Sequence, residues 1–125
     1  MFFIISQATL VEAVAVFCRK TREANSASHI TPKERDRLIS VFRQDSRDEY
    51  QLVNVTKTVY KRAGDLCRIH PLRAYDAIQL ACALAINRRL ISSGQPAPVF
   101  VSADDRLLDI ARAEGFGVEN PNNYP

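Results

Sequence analysis

Short β-branched segments alternate with longer amphipathic segments along this 125-residue chain, and the alternation limits the folds open to it. Residues that favour strands are concentrated in Phe2 to Ser6, Tyr50 to Val55 and Val99 to Val101, and Gly117 to Glu119 is a shorter candidate. The segments between them carry apolar residues at helical spacing. Strands that alternate with helices predict a parallel sheet flanked by helices, an α/β sandwich formed as a single domain over residues 1–125.

Five helices are predicted around these strands. They run from Thr9 to about Arg22, from Pro32 to about Gln44, from Thr56 or Thr58 to about Ile69, from about Arg73 to Ile91, and from Asp104 to Glu114, where Gly115 stops the last one. A break precedes the fourth helix, because the residue before Pro71 disfavours helical backbone. In folds of this kind ligands bind beyond the carboxyl ends of the strands, so functional residues are expected there.

Composition excludes several classes of function. The net charge of +3 permits contact with a polyanion without predicting one. No run approaches the ~18 apolar residues of a membrane span, and no glycine-rich phosphate-binding motif occurs. The three cysteines, Cys18, Cys67 and Cys82, are an odd number at scattered spacings. Together with the lack of a signal peptide, they predict reduced thiols packed in the core of a cytosolic protein.

Three carboxylates stand where such a fold gathers ligands. Glu12 and Asp104 each follow closely on a predicted strand, and Asp76 opens a predicted helix within an apolar run. Carboxylates without clustered cysteine or histidine suit a hard divalent cation, Mg²⁺ or Mn²⁺. Such an ion activates water and stabilises a phosphodiester transition state. Arg73 and Arg106 lie within a helical turn of Asp76 and Asp104, so they are candidates to contact a phosphate backbone.

Each carboxylate also has an ordinary structural explanation. Glu12 and Asp105 each stand three residues after a threonine or serine, which is the spacing of a capping box. Asp104 is favoured in a first helical turn by the helix dipole alone. Asp76, with apolar residues on both sides, is the hardest to explain in this way. Spacing alone therefore leaves capping and metal binding open as alternatives.

Two motifs in the second half of the chain resemble a known family. The resemblance is carried by LRAYDAIQLA at residues 72–81 and FVSADDRLL at residues 100–108. Both are similar to the C-terminal half of PIN domains, and most similar among these to the VapC-type toxins of prokaryotic toxin–antitoxin pairs. IISQATLVE at residues 4–12 resembles the family's second strand and the helix that bears its second acidic residue.

The resemblance implies Mg²⁺- or Mn²⁺-dependent cleavage of RNA by a cytoplasmic type II toxin. Glu12, Asp76 and Asp104 would match the second, third and fourth acidic residues of the family, which bind metal and act in catalysis. Asp105, Arg73 and Arg106 would be accessory residues. The implied partners are an RNA substrate, an antitoxin protein and a second copy of the chain in a homodimer.

The first element of the family has no counterpart in this sequence. A PIN domain begins with a central strand that ends in an aspartate, whereas Met1 stands at the start of what resembles the second strand. Either the true start lies upstream of Met1, or the chain is a shortened relative of the family. In the second case we expect an N-terminally truncated PIN-like sheet with unpaired strand edges and activity impaired by the missing metal ligand. The alternative function is a non-catalytic module that dimerises or binds an antitoxin. A receiver-like phosphoacceptor domain is disfavoured, because its acidic pair after the first strand and its late lysine are absent.

Overall fold

The computed structural model describes residues 3–23, 27, 29–48 and 50–124. The chain divides into two compact units, Met1–Asn54 and Val55–Pro125. The first unit holds strand β1 (Phe3–Ser6), helices α1 (Gln7–Arg22) and α2 (Pro32–Asp48), and strand β2 (Tyr50–Val53). The second holds α3 (Lys57–Ile69), α4 (Ala74–Ser92), β3 (Val99–Val101), α5 (Asp105–Ala113), β4 (Gly117–Glu119) and a 3-10 helix, Pro121–Asn123. The α/β class and the order of elements are as predicted, and Phe2 lies outside the described residues.

The four strands form two separate parallel sheets, one in each unit. β1 pairs with β2, beginning with Phe3 opposite Tyr50, and β3 pairs with β4, beginning with Val99 opposite Gly117. The parallel pairing is as predicted, but the part of the chain that is described holds no fifth strand to join the pairs into one sheet. Each of these strands therefore keeps one edge without a strand partner among the described residues.

Among the side chains that the structure describes, the most deeply buried apolar ones lie in the second unit, on its three helices and just after them. They are Val59, Ala63, Leu66, Ala77, Leu80, Ala81, Cys82, Leu107, Leu108, Ala111 and Phe116. One leucine from each helix is fully buried: Leu66, Leu80 and Leu108. Burying each of these side chains stabilises the folded state by about 1.5–3 kcal/mol. Within the described ranges, no helix is long and apolar enough to cross a membrane.

Helix ends in the second unit follow from local chemistry. Thr56 caps α3, because its Oγ1 accepts a hydrogen bond from the Val59 N–H at 3.3 Å. α3 ends at Ile69, as predicted, and the extended residue His70, directly before Pro71, is its C-cap. Gly115 adopts a φ of +97°, which favours glycine, and stops α5 at the predicted place.

Two side-chain contacts hold β3 and α5 against the rest of the second unit. The ring of Phe100 on β3 packs against Phe116, with the ring centroids 5.9 Å apart. The His70 ring at the end of α3 lies 2.9 Å, Nε2 to Oε1, from the carboxylate of Glu114 at the end of α5. The two elements that flank the turn with Asp104, β3 before it and α5 after it, are therefore each held by a side-chain contact.

The three cysteines differ in exposure. Cys82 is buried, Cys18 is half-buried and Cys67 is exposed. The predicted core packing is confirmed for Cys82 and wrong for Cys67. Cys67 follows the buried Leu66 by one residue, which turns it about 100° around α3, away from the inward-facing stripe.

Thiol labelling of the folded chain should follow this order of exposure. Burial raises the pKa of the Cys82 thiol above its ordinary value of 9.0. We therefore expect iodoacetamide at pH 8 to modify Cys67 first and Cys82 last, as followed by mass spectrometry of peptides. The folded chain holds the thiol proton of Cys82 more tightly than the unfolded chain does. The free energy of unfolding should therefore fall as the pH rises above 9.0. Equal labelling rates at Cys67 and Cys82 would contradict the described burial.

Candidate functional site

Asp104 caps helix α5 immediately after strand β3. The β3–β4 ladder continues past the strand with a 3.1 Å bond from the Ser102 N–H to the Glu119 carbonyl. The Asp104 N–H donates to the Ser102 hydroxyl at 3.1 Å. Asp104 Oδ1 then accepts from the N–H groups of Arg106 at 3.0 Å and Leu107 at 3.4 Å. These bonds fix an exposed carboxylate at the carboxyl end of β3.

The cap uses only one of the two oxygens of Asp104. Both backbone N–H groups donate to Oδ1, so capping does not occupy Oδ2. Capping and metal binding, which spacing left as alternatives, are therefore compatible at this residue.

Asp105 is held by a contact of another kind. Its Oδ1 accepts a 2.9 Å bond from the side-chain amide of Asn120, just beyond β4. The expectation that Asp105 closes a capping box with Ser102 is wrong, because the cap of α5 is Asp104 and Asp105 is the first helical residue. Asp105 instead ties the start of α5 to the end of β4.

Asn120 is a structural residue that the sequence reasoning missed. It is 7% exposed, and its Oδ1 accepts from the Asn122 N–H at 2.9 Å while its amide reaches Asp105. An asparagine before Pro121 at the end of a strand is a turn signal, and it could have predicted the bond from the Asn122 N–H to Asn120. The bond from Asn120 to Asp105 joins residues far apart in sequence, and no local pattern indicates it.

Replacing Asn120 with alanine should destabilise the second unit by about 1–3 kcal/mol, because the Asp105 carboxylate and the Asn122 N–H both lose their partner. Urea denaturation followed by circular dichroism measures this change. Asn122→Ala is the matched control, since Asn122 is exposed and its bond is made by the backbone. Equal stability of the two variants would count against the described role of Asn120.

Asp76 lies in the first turn of α4, as predicted. The cap residue Arg73 is extended and makes no side-chain capping bond, while its carbonyl accepts the Ala77 N–H at 2.9 Å. The Asp76 side chain is half-buried and that of Arg73 is exposed. A carboxylate in this turn is favoured by the free N–H groups and the dipole of α4.

Glu12 lies in the first unit, exposed on α1. α1 begins at Gln7, directly after β1, so Thr9 is inside the helix and not at its cap. The capping-box explanation of Glu12 is therefore wrong. The helix starts two residues earlier than predicted, because the chain passes from strand to helix without an intervening turn.

The predicted site residues are divided between the two units. Asp76, Asp104 and the accessory residues Arg73, Asp105 and Arg106 lie in the second unit, and Glu12 lies in the first. Among the described residues, no three His, Cys, Asp or Glu side chains form a group that could hold a metal ion. The three-carboxylate site stays a prediction. Its donor chemistry fits a hard divalent cation, since all three donors are carboxylates and the cap leaves Oδ2 of Asp104 unused.

Comparison with known proteins identifies similarity over most of the chain. The sequence model of the PIN domain family matches residues 3–113. Ribonuclease VapC45 of Mycobacterium tuberculosis (strain CDC 1551 / Oshkosh) is 42% identical over 66 residues, which are 53% of this chain and 41% of the relative. Ribonuclease VapC49 of Mycobacterium tuberculosis (strain ATCC 25618 / H37Rv) has the same identity and coverage.

The alignment thus spans less than half the length of these curated relatives. No solved structure matches the chain significantly. The family match, however, extends over most of the sequence and includes Glu12, Asp76 and Asp104. The chain therefore belongs to the PIN domain family.

Proposed function

We propose that this protein is a VapC-type ribonuclease that uses Mg²⁺ or Mn²⁺ to hydrolyse RNA phosphodiester bonds. The observation that supports this most is that the PIN match spans Glu12, Asp76 and Asp104. Two of these carboxylates stand at the starts of helices in the second unit. The two relatives with 42% identity are named ribonucleases.

In this proposal, Glu12, Asp76 and Asp104 hold the divalent ion. When bound, such an ion supplies an activated water and stabilises charge on the phosphodiester. Asp104 offers Oδ2 from a side chain already ordered by its cap, so little freedom is lost on binding.

The accessory residues act around these ligands. Arg73 and Arg106 are exposed at the starts of α4 and α5, where a guanidinium can bind an RNA phosphate through two parallel hydrogen bonds. Asp105 positions the first turn of α5 through its bond to Asn120. RNA binding through these arginines should weaken as salt is added.

The biological setting is part of the same proposal. We propose that the chain acts in the cytoplasm as the toxin of a type II toxin–antitoxin pair, that it forms a homodimer, and that an antitoxin protein inhibits it. The relatives named Ribonuclease VapC45 and Ribonuclease VapC49 agree with the VapC-type resemblance of residues 72–81 and 100–108.

The proposal is tested by incubating the purified full chain with end-labelled RNA. We expect cleavage with Mg²⁺ or Mn²⁺, no cleavage with EDTA, and loss of cleavage in Asp76→Asn. Asp65→Asn is the matched control, because Asp65 is an acidic residue of the same unit that pairs with Lys61 on α3. A folded sample that cleaves RNA under no metal condition, or an Asp76→Asn variant with full activity, would contradict the proposal.

A non-catalytic binding module is the second candidate function. Val99 and Val101 on β3 are 54% and 57% exposed, and one edge of β3 has no strand partner among the described residues. An exposed apolar strand with a free edge favours pairing with another chain. This candidate predicts a stable oligomer without RNA cleavage, and tight stoichiometric Mn²⁺ binding by calorimetry would count against it.

A further inference from the structure

A groove of about 470 Å³ lies on the second unit between helices α3 and α4. Val59 of α3 and Ala81 of α4 contribute buried aliphatic surface, and the half-buried Leu84 and Ala85 continue it along α4. Ala81 lies about 7.5 Å along the helix axis from Asp76, and the lining residues extend from there toward the end of α4. The two candidate metal ligands of the second unit, Asp76 and Asp104, are not among the lining residues.

The charge along this groove has one sign. Arg62 of α3 and Arg88 and Arg89 of α4 line it and are exposed, and none of the described residues that line it is acidic. None of the three arginines forms an ion pair with another residue in the described ranges. The groove therefore combines aliphatic surface with three cations that have no ionic partner there.

Asn87 supplies a second feature that points to a ligand. Its Oδ1 is buried and has no hydrogen-bond partner among the described residues, and Asn87 lines the same groove. A buried acceptor without a donor is unfavourable. An occupant that brings an N–H or O–H group into the groove would relieve this cost.

These features favour a protein segment over a nucleic acid. Single-stranded nucleic acids bind to aromatic side chains on which the bases stack, and the part of the lining that the structure describes holds no aromatic residue. Helical peptides bind by laying an apolar face into an aliphatic groove. From Ala81 to Arg89 the groove follows about 12 Å of α4, which matches about two turns of a docked helix.

We propose that this groove binds an acidic amphipathic helix of a partner protein. The apolar stripe of that helix covers Val59, Leu84 and Ala85, and its flanking carboxylates pair with the groove arginines. The proposal uses none of the candidate metal ligands, so it stands or falls separately from RNA cleavage.

Two synthetic helical peptides of about 16 residues test the proposal. Both carry leucines at i, i+3, i+4 and i+7, and one is flanked by glutamates and the other by lysines. Fluorescence anisotropy with the full chain should show tighter binding of the glutamate peptide. Arg62→Glu should weaken that binding by up to about fivefold, whereas Arg68→Glu, at an exposed arginine of the same helix outside the groove, should not weaken it.

Amide shifts of the full chain in nuclear magnetic resonance locate the binding. The glutamate peptide should shift the amides around Leu84 and Asn87, and Asn87→Leu should weaken binding without unfolding the chain. Equal binding of the two peptides, or binding unaffected by Arg62→Glu, would overturn the proposal. So would an RNA oligonucleotide in EDTA that shifts these amides when the peptide does not, or self-association that Leu84→Glu abolishes.

Discussion

Replacing Asp104 with asparagine is expected to lower metal-dependent RNA cleavage by about 100-fold or more while leaving helix α5 capped. Asparagine caps a helix as well as aspartate does, so the bonds from the Arg106 and Leu107 N–H groups should persist. The variant nevertheless loses the negative charge and the ligand oxygen. Changes in the outer shell of a metal site already cost 10–100-fold, so loss of a ligand should cost at least as much.

The matched control for this variant is Asp109→Asn on the same helix. Asp109 is exposed and pairs with Arg112 within α5, so its replacement should leave cleavage unchanged. Asp104→Ala should lose both cleavage and the cap, and should therefore be less stable than Asp104→Asn. If the wild-type chain cleaves RNA and Asp104→Asn cleaves it equally well, Asp104 is a helix cap and not a metal ligand.

Replacing Leu80 with alanine should lower the free energy of unfolding by about 2–5 kcal/mol. Leu80 is 0% exposed on α4, and its loss leaves a cavity in the core of the second unit. Domains of this size have a total stability of about 5–15 kcal/mol, so the variant should unfold at a much lower urea concentration. Because α4 also carries Asp76, cleavage should fall together with stability.

Leu38→Ala is the control for this cavity. Leu38 lies on α2 and is 39% exposed, so its truncation removes the same atoms from a partly solvated place and should cost less than about 1 kcal/mol. Urea denaturation of both variants, followed by circular dichroism, gives the comparison. Similar losses in the two variants would show that Leu80 is not at the centre of the core.

Some elements of this fold could be predicted because their signals are local. β3 is a short apolar run between Pro98 and the Ser102 turn, and Gly115 marks the end of α5 by a backbone conformation that favours glycine. The start of α1 could not be predicted, because β1 passes directly into the helix and no turn separates the two elements. α2 extends to Asp48, four residues beyond its predicted end at Gln44, since no glycine or proline marks the true end.

In the candidate site, too, local features could be predicted from the sequence and long-range contacts could not. The position of Asp104 at the end of β3 could be predicted from its local sequence, as could the position of Asp76 in the first turn of α4. The bond between Asp105 and Asn120 could not, because it depends on β4 returning beside β3. The pairing of β1 with β2 and of β3 with β4 could not be predicted either, since strand pairing joins residues distant in sequence.

Mn²⁺ binding tests the proposed metal site most directly, because it reports the positions of the ligands without any RNA substrate. Mn²⁺ titrated into the ¹⁵N-labelled full chain should broaden the amide signals around Glu12, Asp76 and Asp104 first, through its unpaired electrons. Asp76→Asn should weaken this broadening, and Asp109→Asn should leave it unchanged. No broadening at Asp76 and Asp104, or broadening confined to other exposed acids such as those of α2, would contradict a three-carboxylate metal site.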